Sequence, residues 1–220
     1  MKVKLLMVGL VTGILACGVA CNSRSDHFDL TTRVRQARMH LSNFVDVPCP
    51  VAQQWVINDV DHALNLTILS ADPIAFASSG ANGDMVRSWV KFRIVETWHD
   101  RPFGVPGKAP PSIVPPELLP LARNEFAIWD CGGMVTIRGV RVVQHGRHHD
   151  FRLGNRYLLF ILPEAQVAQI AGWKEGVFLI DGGTLRPIDA YAAMTGLDRE
   201  IEQRFGNQVQ KLRAYLGEHP

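Results

Sequence analysis

The chain has 220 residues, 23 basic and 21 acidic side chains and 47% apolar residues. That length suits one domain with a sizeable core. The balanced charge excludes a polybasic nucleic-acid binder, and no run after the first twenty residues is apolar enough to cross a bilayer as a helix.

The opening reads as an export signal. Lys2 and Lys4 precede an apolar run from Leu5 to Ala16, interrupted only by Thr12. The run is too short to span a hydrocarbon core of about 30 Å. Small residues then lead into Cys17 and Cys21, and Gly18-Val19-Ala20-Cys21 and Ile14-Leu15-Ala16-Cys17 both resemble the bacterial lipobox. We expect residues 1–20 to be a signal peptide and Cys21 to carry lipid, including palmitate, with Cys17 as the alternative. Cleavage before Cys21 leaves Cys49 and Cys131, an even pair that an oxidising compartment would join. A Cys-x-x-x-Cys metal site is disfavoured, because both cysteines sit in the signal with no histidine near.

Residues 21–45 read as a polar tether and N-terminal segment, and 46–217 as one domain. Asn58 is placed to cap a helix running to about Ser70, with Val60, Leu64 and Ile68 on its buried face. "DPIAFASSGANGDM" reads as a strand and turn. "VRSWVKFRIVETW" alternates, with Val86, Val90, Phe92 and Ile94 on one face, as a half-buried strand must. Residues 101–120 hold seven of the thirteen prolines and read as a stiff surface loop.

Strand signals then recur in "EFAIW", "MVTIRGVRVVQ", "RYLLFIL", "VAQIAG", "GVFLI" and "TLRPID", separated by glycine-rich turns. "YLLFIL" is apolar throughout, so it is expected to be central and covered on both faces. At the end, Leu197, Ile201, Phe205, Val209, Leu212 and Leu216 form an apolar stripe of one helix, starting near Thr195 and stopping near Gly217. The fold class is therefore α+β and mainly β, with antiparallel strands, an N-proximal helix and a C-terminal amphipathic helix.

"PIAFASS", "VKFRIVETW", "CGGMVTIRG" and "DFRLGNRYLLFIL" with "GVFLIDGGTLRPID" resemble exported bacterial proteins whose barrel is similar to the OB-type netrin and tissue-inhibitor modules. The resemblance covers about residues 70–190. It implies an OB-like β-barrel and an envelope address, and carries over no catalytic residue. Where that pattern has Lys-Gly at a strand corner, this chain has His99-Asp100 and then the proline-rich stretch.

The densest polar cluster is "HGRHHD". His145, His148 and Asp150 are candidate ligands for zinc or copper, although His148 and His149 would face opposite sides of a strand. The alternative is a solvated turn around Gly146. His99-Asp100 would suit acid–base work and Cys131 before Gly132-Gly133 nucleophilic attack, but no nucleophile motif accompanies them. Trp55, Trp89, Trp98, Trp129 and Trp173 would either line a barrel groove or fill the core. The expectation is a lipid-anchored envelope protein binding an unknown protein or small molecule without catalysis. A metal-dependent enzyme using His145–Asp150 and a purely structural envelope component are the alternatives.

Overall fold

In the computed structural model, which describes residues 30–48, 57, 59–81, 85–100, 114–145, 150–162, 169–171, 176–188 and 196–219, a long hairpin organises the chain. Its arms are β2 (Thr67–Ala81) and β3 (Met85–His99). The pairing runs from Ile68 opposite His99 to Ala81 opposite Met85, with register shifts at Ile68/Leu69, Ser70/Ala71 and Pro73/Ala75. Pro73 cannot donate to a ladder, so its place beside an irregularity is expected, and each shift bends and twists the ribbon. Further strands extend this sheet: β4 (Glu125–Cys131), β7 (Arg156–Leu162), β8 (Gln169–Ile170), β9 (Val177–Asp181) and β10 (Thr184–Pro187). The order is β10-β9-β7-β2-β3-β4, every pair antiparallel, with β8 on the last two residues of β7.

A second sheet holds β1 (Phe44–Pro48), β5 (Gly133–Ile137) and β6 (Val140–His145) in the order β1-β6-β5. Here β1 runs parallel to β6, against the wholly antiparallel expectation. "MVTIRGVRVVQ", expected as one strand, folds back at Arg138 and Gly139. Ile137 pairs with Val140, and the two turn residues have φ of 50° and 81°. Positive φ at both centres is the two-residue turn that matches strand twist.

Among the described residues, four α-helices flank the sheets: α1 (Leu30–Met39), α2 (Val60–Ala63), α3 (Gly196–Phe205) and α4 (Val209–Glu218). The expected helix from Asn58 to Ser70 is a single turn capped by Asp59, and the chain is already strand at Thr67. Instead, α1 occupies part of the segment read as tether, and buries Leu30 and Val34. The C-terminal stripe is buried as expected, but on two helices. Gly206 and Asn207 take φ of 59° and 58° and end α3. The freed backbone bonds the neighbouring sheet: Leu185 N–H donates to Asn207 and Val209 N–H to Gly183.

The large sheet curls over a core of Leu69, Phe92, Phe126, Ile128, Phe151, Tyr157, Leu159 and Ile170. Phe151 packs edge-on against both Phe92 (4.9 Å) and Tyr157 (5.0 Å). Its other face carries Ile68, Leu158 and Phe160 beneath Leu197, Ile201, Leu212 and Leu216 of the C-terminal helices. Strand β7 is thus central and buried on both faces, as its unbroken apolar sequence predicts. Trp89, on the back of β3, is covered by Val114 and Leu118, so the end of the proline-rich stretch packs as core rather than running free. The mainly β, α+β class holds. The strand order ends at β10 and β4, and no pairing closes it into a barrel among the described residues.

Candidate functional site

Most ionisable groups that converge in this fold act as struts. Asp61 of α2 accepts from the Tyr215 hydroxyl (2.5 Å) and from Arg204 (3.3 Å). Arg204 also donates to Glu200 (2.6 Å), whose other oxygen accepts from Val60 N–H (2.5 Å). These bonds tie α2 to α3 and α4. The tyrosine and arginine hold the Asp61 carboxyl below its ordinary range, and the same carboxylate pushes the Tyr215 hydroxyl up. Glu125 at the head of β4 pairs with Lys91 (2.8 Å) and accepts from Ala122 N–H (2.9 Å), while Lys91 donates to Pro120 O (2.9 Å). That fastens the segment before β4 to the sheet. His99 is buried with Nε2 2.8 Å from Leu64 O, a bond that requires the proton on Nε2 and ties β3 to the end of α2.

The expected metal cluster divides. His145, at the end of β6, pairs through Nε2 with Asp46 of β1 at 3.0 Å, and both are exposed. Asp150 pairs with Arg152 at 2.7 Å. His148 and His149 lie outside the described residues. Among the described residues, no three His, Cys, Asp or Glu side chains gather as a metal would need. Cys17, Cys21 and Cys49 also lie outside them, and with them the lipid site and the disulfide. Cys131 ends β4, opposite Arg87. Of the tryptophans, Trp89 is fully buried, Trp129 lies under the Arg87 guanidinium (4.6 Å), and Trp98 donates from Nε1 to Glu96. Trp89 is core, and Trp55 and Trp173 are outside the described residues.

Among the surfaces the fold leaves presented is one end of the small sheet. Because β1 and β6 are parallel, the turn that enters β1 and the Arg138-Gly139 turn that enters β6 lie at the same end, joined by Arg141 N–H to Asn43 O (2.8 Å). The outer face there has Phe44, Arg141 and Thr136 in one cross-strand row and Asp46, Val143 and Met134 in the next. The inner face, with Val45, Val135, Val140 and Val142, packs on Leu30 and Val34 of α1.

Three apolar side chains stand out at this end: Met39 (67% exposed), Leu41 (95%) and Phe44 (45%). Around them Arg38, Arg138 and Arg141 are exposed. Residues 30–46 and 132–145 together contain five arginines and one carboxylate, Asp46. Setting aside Lys2 and Lys4, 21 basic and 21 acidic residues remain; without these six the rest of the chain has 16 basic against 20 acidic.

No family model, curated protein or solved structure matches the chain. The likeness to exported netrin-like proteins therefore rests on its quoted motifs alone. Sequence reasoning passes over this end because residues 21–45, polar and mixed in charge, read as a tether. The signal lies in Arg33, Arg35 and Arg38, with no acid between Asp29 and Asp46, but the pairing that brings Asn43 and Phe44 beside Arg141 spans about a hundred residues.

Proposed function

We propose that the chain is an exported bacterial envelope protein, lipid-anchored through Cys21, that works as a non-catalytic binding module. The observation that carries this is the order of features at its start: two lysines, a twelve-residue stretch from Leu5 to Ala16 and small residues before cysteine. Support for binding over catalysis comes from the ionic clusters, which fasten elements to one another. The exposed apolar and cationic groups lie apart from them, at the end of the small sheet. An OB-like reading of the large sheet is supported by its curl: Ile170 of β8 shares a core with Phe126 and Ile128 of β4. A Cys49–Cys131 disulfide belongs to the same reading, since export takes both thiols into an oxidising compartment.

Expression of the full chain in a bacterium with an alkyne-labelled fatty acid tests it. The protein should be labelled, shortened and recovered with membranes. Cys21→Ser should abolish the label, and Cys17→Ser should not. Unlabelled protein recovered from the cytosol with Met1 in place would sink the proposal.

A further inference from the structure

We propose that the Arg38–Phe44 turn and the Arg138–Arg141 hairpin form a surface that docks on anionic membrane headgroups, with Leu41 inserted between them. The inference rests on the anchored reading only for bringing the domain to a membrane; the surface itself is read from the fold.

Leu41 carries the first part of the argument. It follows the end of α1 with φ of 54° and is 95% exposed. A left-handed conformation disfavours a branched aliphatic side chain, and glycine or asparagine would serve this helix end better. The side chain gains nothing from the core, so folding supplies no reason for it. Met39 and Phe44 extend the apolar surface on either side. Apolar groups at a turn, with arginines at the same end of the sheet, suit an interface whose outer layer is charged and whose next layer is hydrocarbon.

Charge supplies the second part. Arg141 sits opposite Phe44, Arg38 precedes Met39, Arg138 lies in the turn at the same end of the sheet, and Arg33 and Arg35 are exposed on α1. Asp46 also faces outward, one row from Phe44 and Arg141, and lies 3.0 Å from His145 Nε2. The rest of the chain has an acidic excess, so an anionic surface attracts this end and repels the remainder, which orients the domain.

Position supplies the third. Eight residues lie between Cys21 and Leu30, a span of at most about 30 Å. The ten residues of α1 add about 15 Å. The lipid on Cys21 would thus keep this end within about 45 Å of the bilayer, inside its reach. An acidic protein would meet the same arginines, but it would not be held within reach by the tether.

The test uses the full chain, recovered from membranes and reconstituted into vesicles of phosphatidylethanolamine with phosphatidylglycerol, or of phosphatidylcholine alone. Backbone hydrogen exchange is followed at residues 39–44 and 138–141. Exchange should slow in the anionic vesicles only, and the protection should vanish when salt is raised. Each arginine near an anionic surface is worth about fivefold in binding, so Arg38→Gln, Arg138→Gln and Arg141→Gln combined should weaken the contact about a hundredfold. The same three changed to lysine should retain it.

Leu41→Asn separates contact from folding: it suits the backbone, so thermal stability should hold or rise while protection falls. Equal exchange in both vesicle types, with the protein still anchored, would overturn the proposal. So would equal protection by soluble polyglutamate in neutral vesicles, which would point to an acidic partner. The anchored reading fails separately, if the wild type and Cys21→Ser leave the vesicles alike. Anionic vesicles added to that soluble chain should then still protect the two segments.

Discussion

Glu125 holds together three stretches of chain. Its carboxylate meets Lys91 from β3 and the N–H of Ala122, and Lys91 reaches on to the carbonyl of Pro120. The lysine first, and the amide second, hold its carboxyl below the ordinary value of 4.5. A group that ionises more readily folded than unfolded stabilises the fold fully above its unfolded pKa. That contribution drains as pH falls below 4.5 toward the folded value. Glu125→Gln should therefore cost about 1 kcal/mol at neutral pH and flatten the acid limb of the stability curve. Urea unfolding at a series of pH values checks both; an unchanged acid limb would remove Glu125 from the account. Lys91 was legible only as the outward side of a strand, because nothing near it in sequence says that residues 114–120 lie over that face. The His145–Asp46 pair was illegible for a related reason. The histidine stood out, but its partner is chosen by a parallel register between segments a hundred residues apart.

Strands β3, β4, β7 and β9 were readable because each has one dominant pattern, alternating or wholly apolar, bounded by turn residues. The boundary at α2 and β2 was not. Val60, Leu64 and Ile68 fall at helical spacing, yet β2 is buried on both faces over Ile68–Ala71, and a doubly buried stretch of strand has no period of its own. The C-terminal stripe misled in the same way, since the step of four from Phe205 to Val209 spans the break between α3 and α4 without a gap in the pattern. What breaks the helix is tertiary: the edge of β10 takes the backbone bonds that helix continuation would have used.

Strands β8 and β9 are another interrupted element, both lying along one edge of β7. Phe160 accepts from Ala171 N–H on one side of the interruption and donates to Gly176 O on the other. There the chain returns so closely that a Cβ on Gly176 would lie 2.2 Å from Ala171 O. A backbone atom cannot swing aside, so Gly176→Ala should destabilise by about 1–3 kcal/mol through forced displacement. Gly217→Ala, where a Cβ meets nothing within 4 Å, is the matched control. It should be neutral or stabilising by up to about 1 kcal/mol in a helix. Thermal unfolding of the pair decides; equal melting temperatures would show that the close return is not rigid.

At the scale of the molecule, the small sheet is held to the large one at the tip of the long hairpin. Val86 of β3 is fully buried beside Val140, Val142, Leu30 and Val34. Ser88 donates to Gly132 O (2.8 Å), and Gly132 N–H donates to Val86 O (2.9 Å). Most telling is Gln144, 1% exposed, whose Oε1 accepts from Val86 N–H at 2.5 Å. A buried amide costs several times its net bond when its partner is taken away. Gln144→Met keeps the volume and removes the acceptor, which should cost about 1–3 kcal/mol. The loss should be local, because the large sheet has cores on both faces that do not include Gln144. Native-state hydrogen exchange should show residues 44–48 and 133–145 opening at lower free energy in this variant. Residues 157–161 in β7 should open only at the global free energy. Parallel loss of protection in both segments would mean that the two sheets unfold as one unit. An end surface that docks on a membrane would then be coupled to the whole fold rather than carried on a separately adjustable layer.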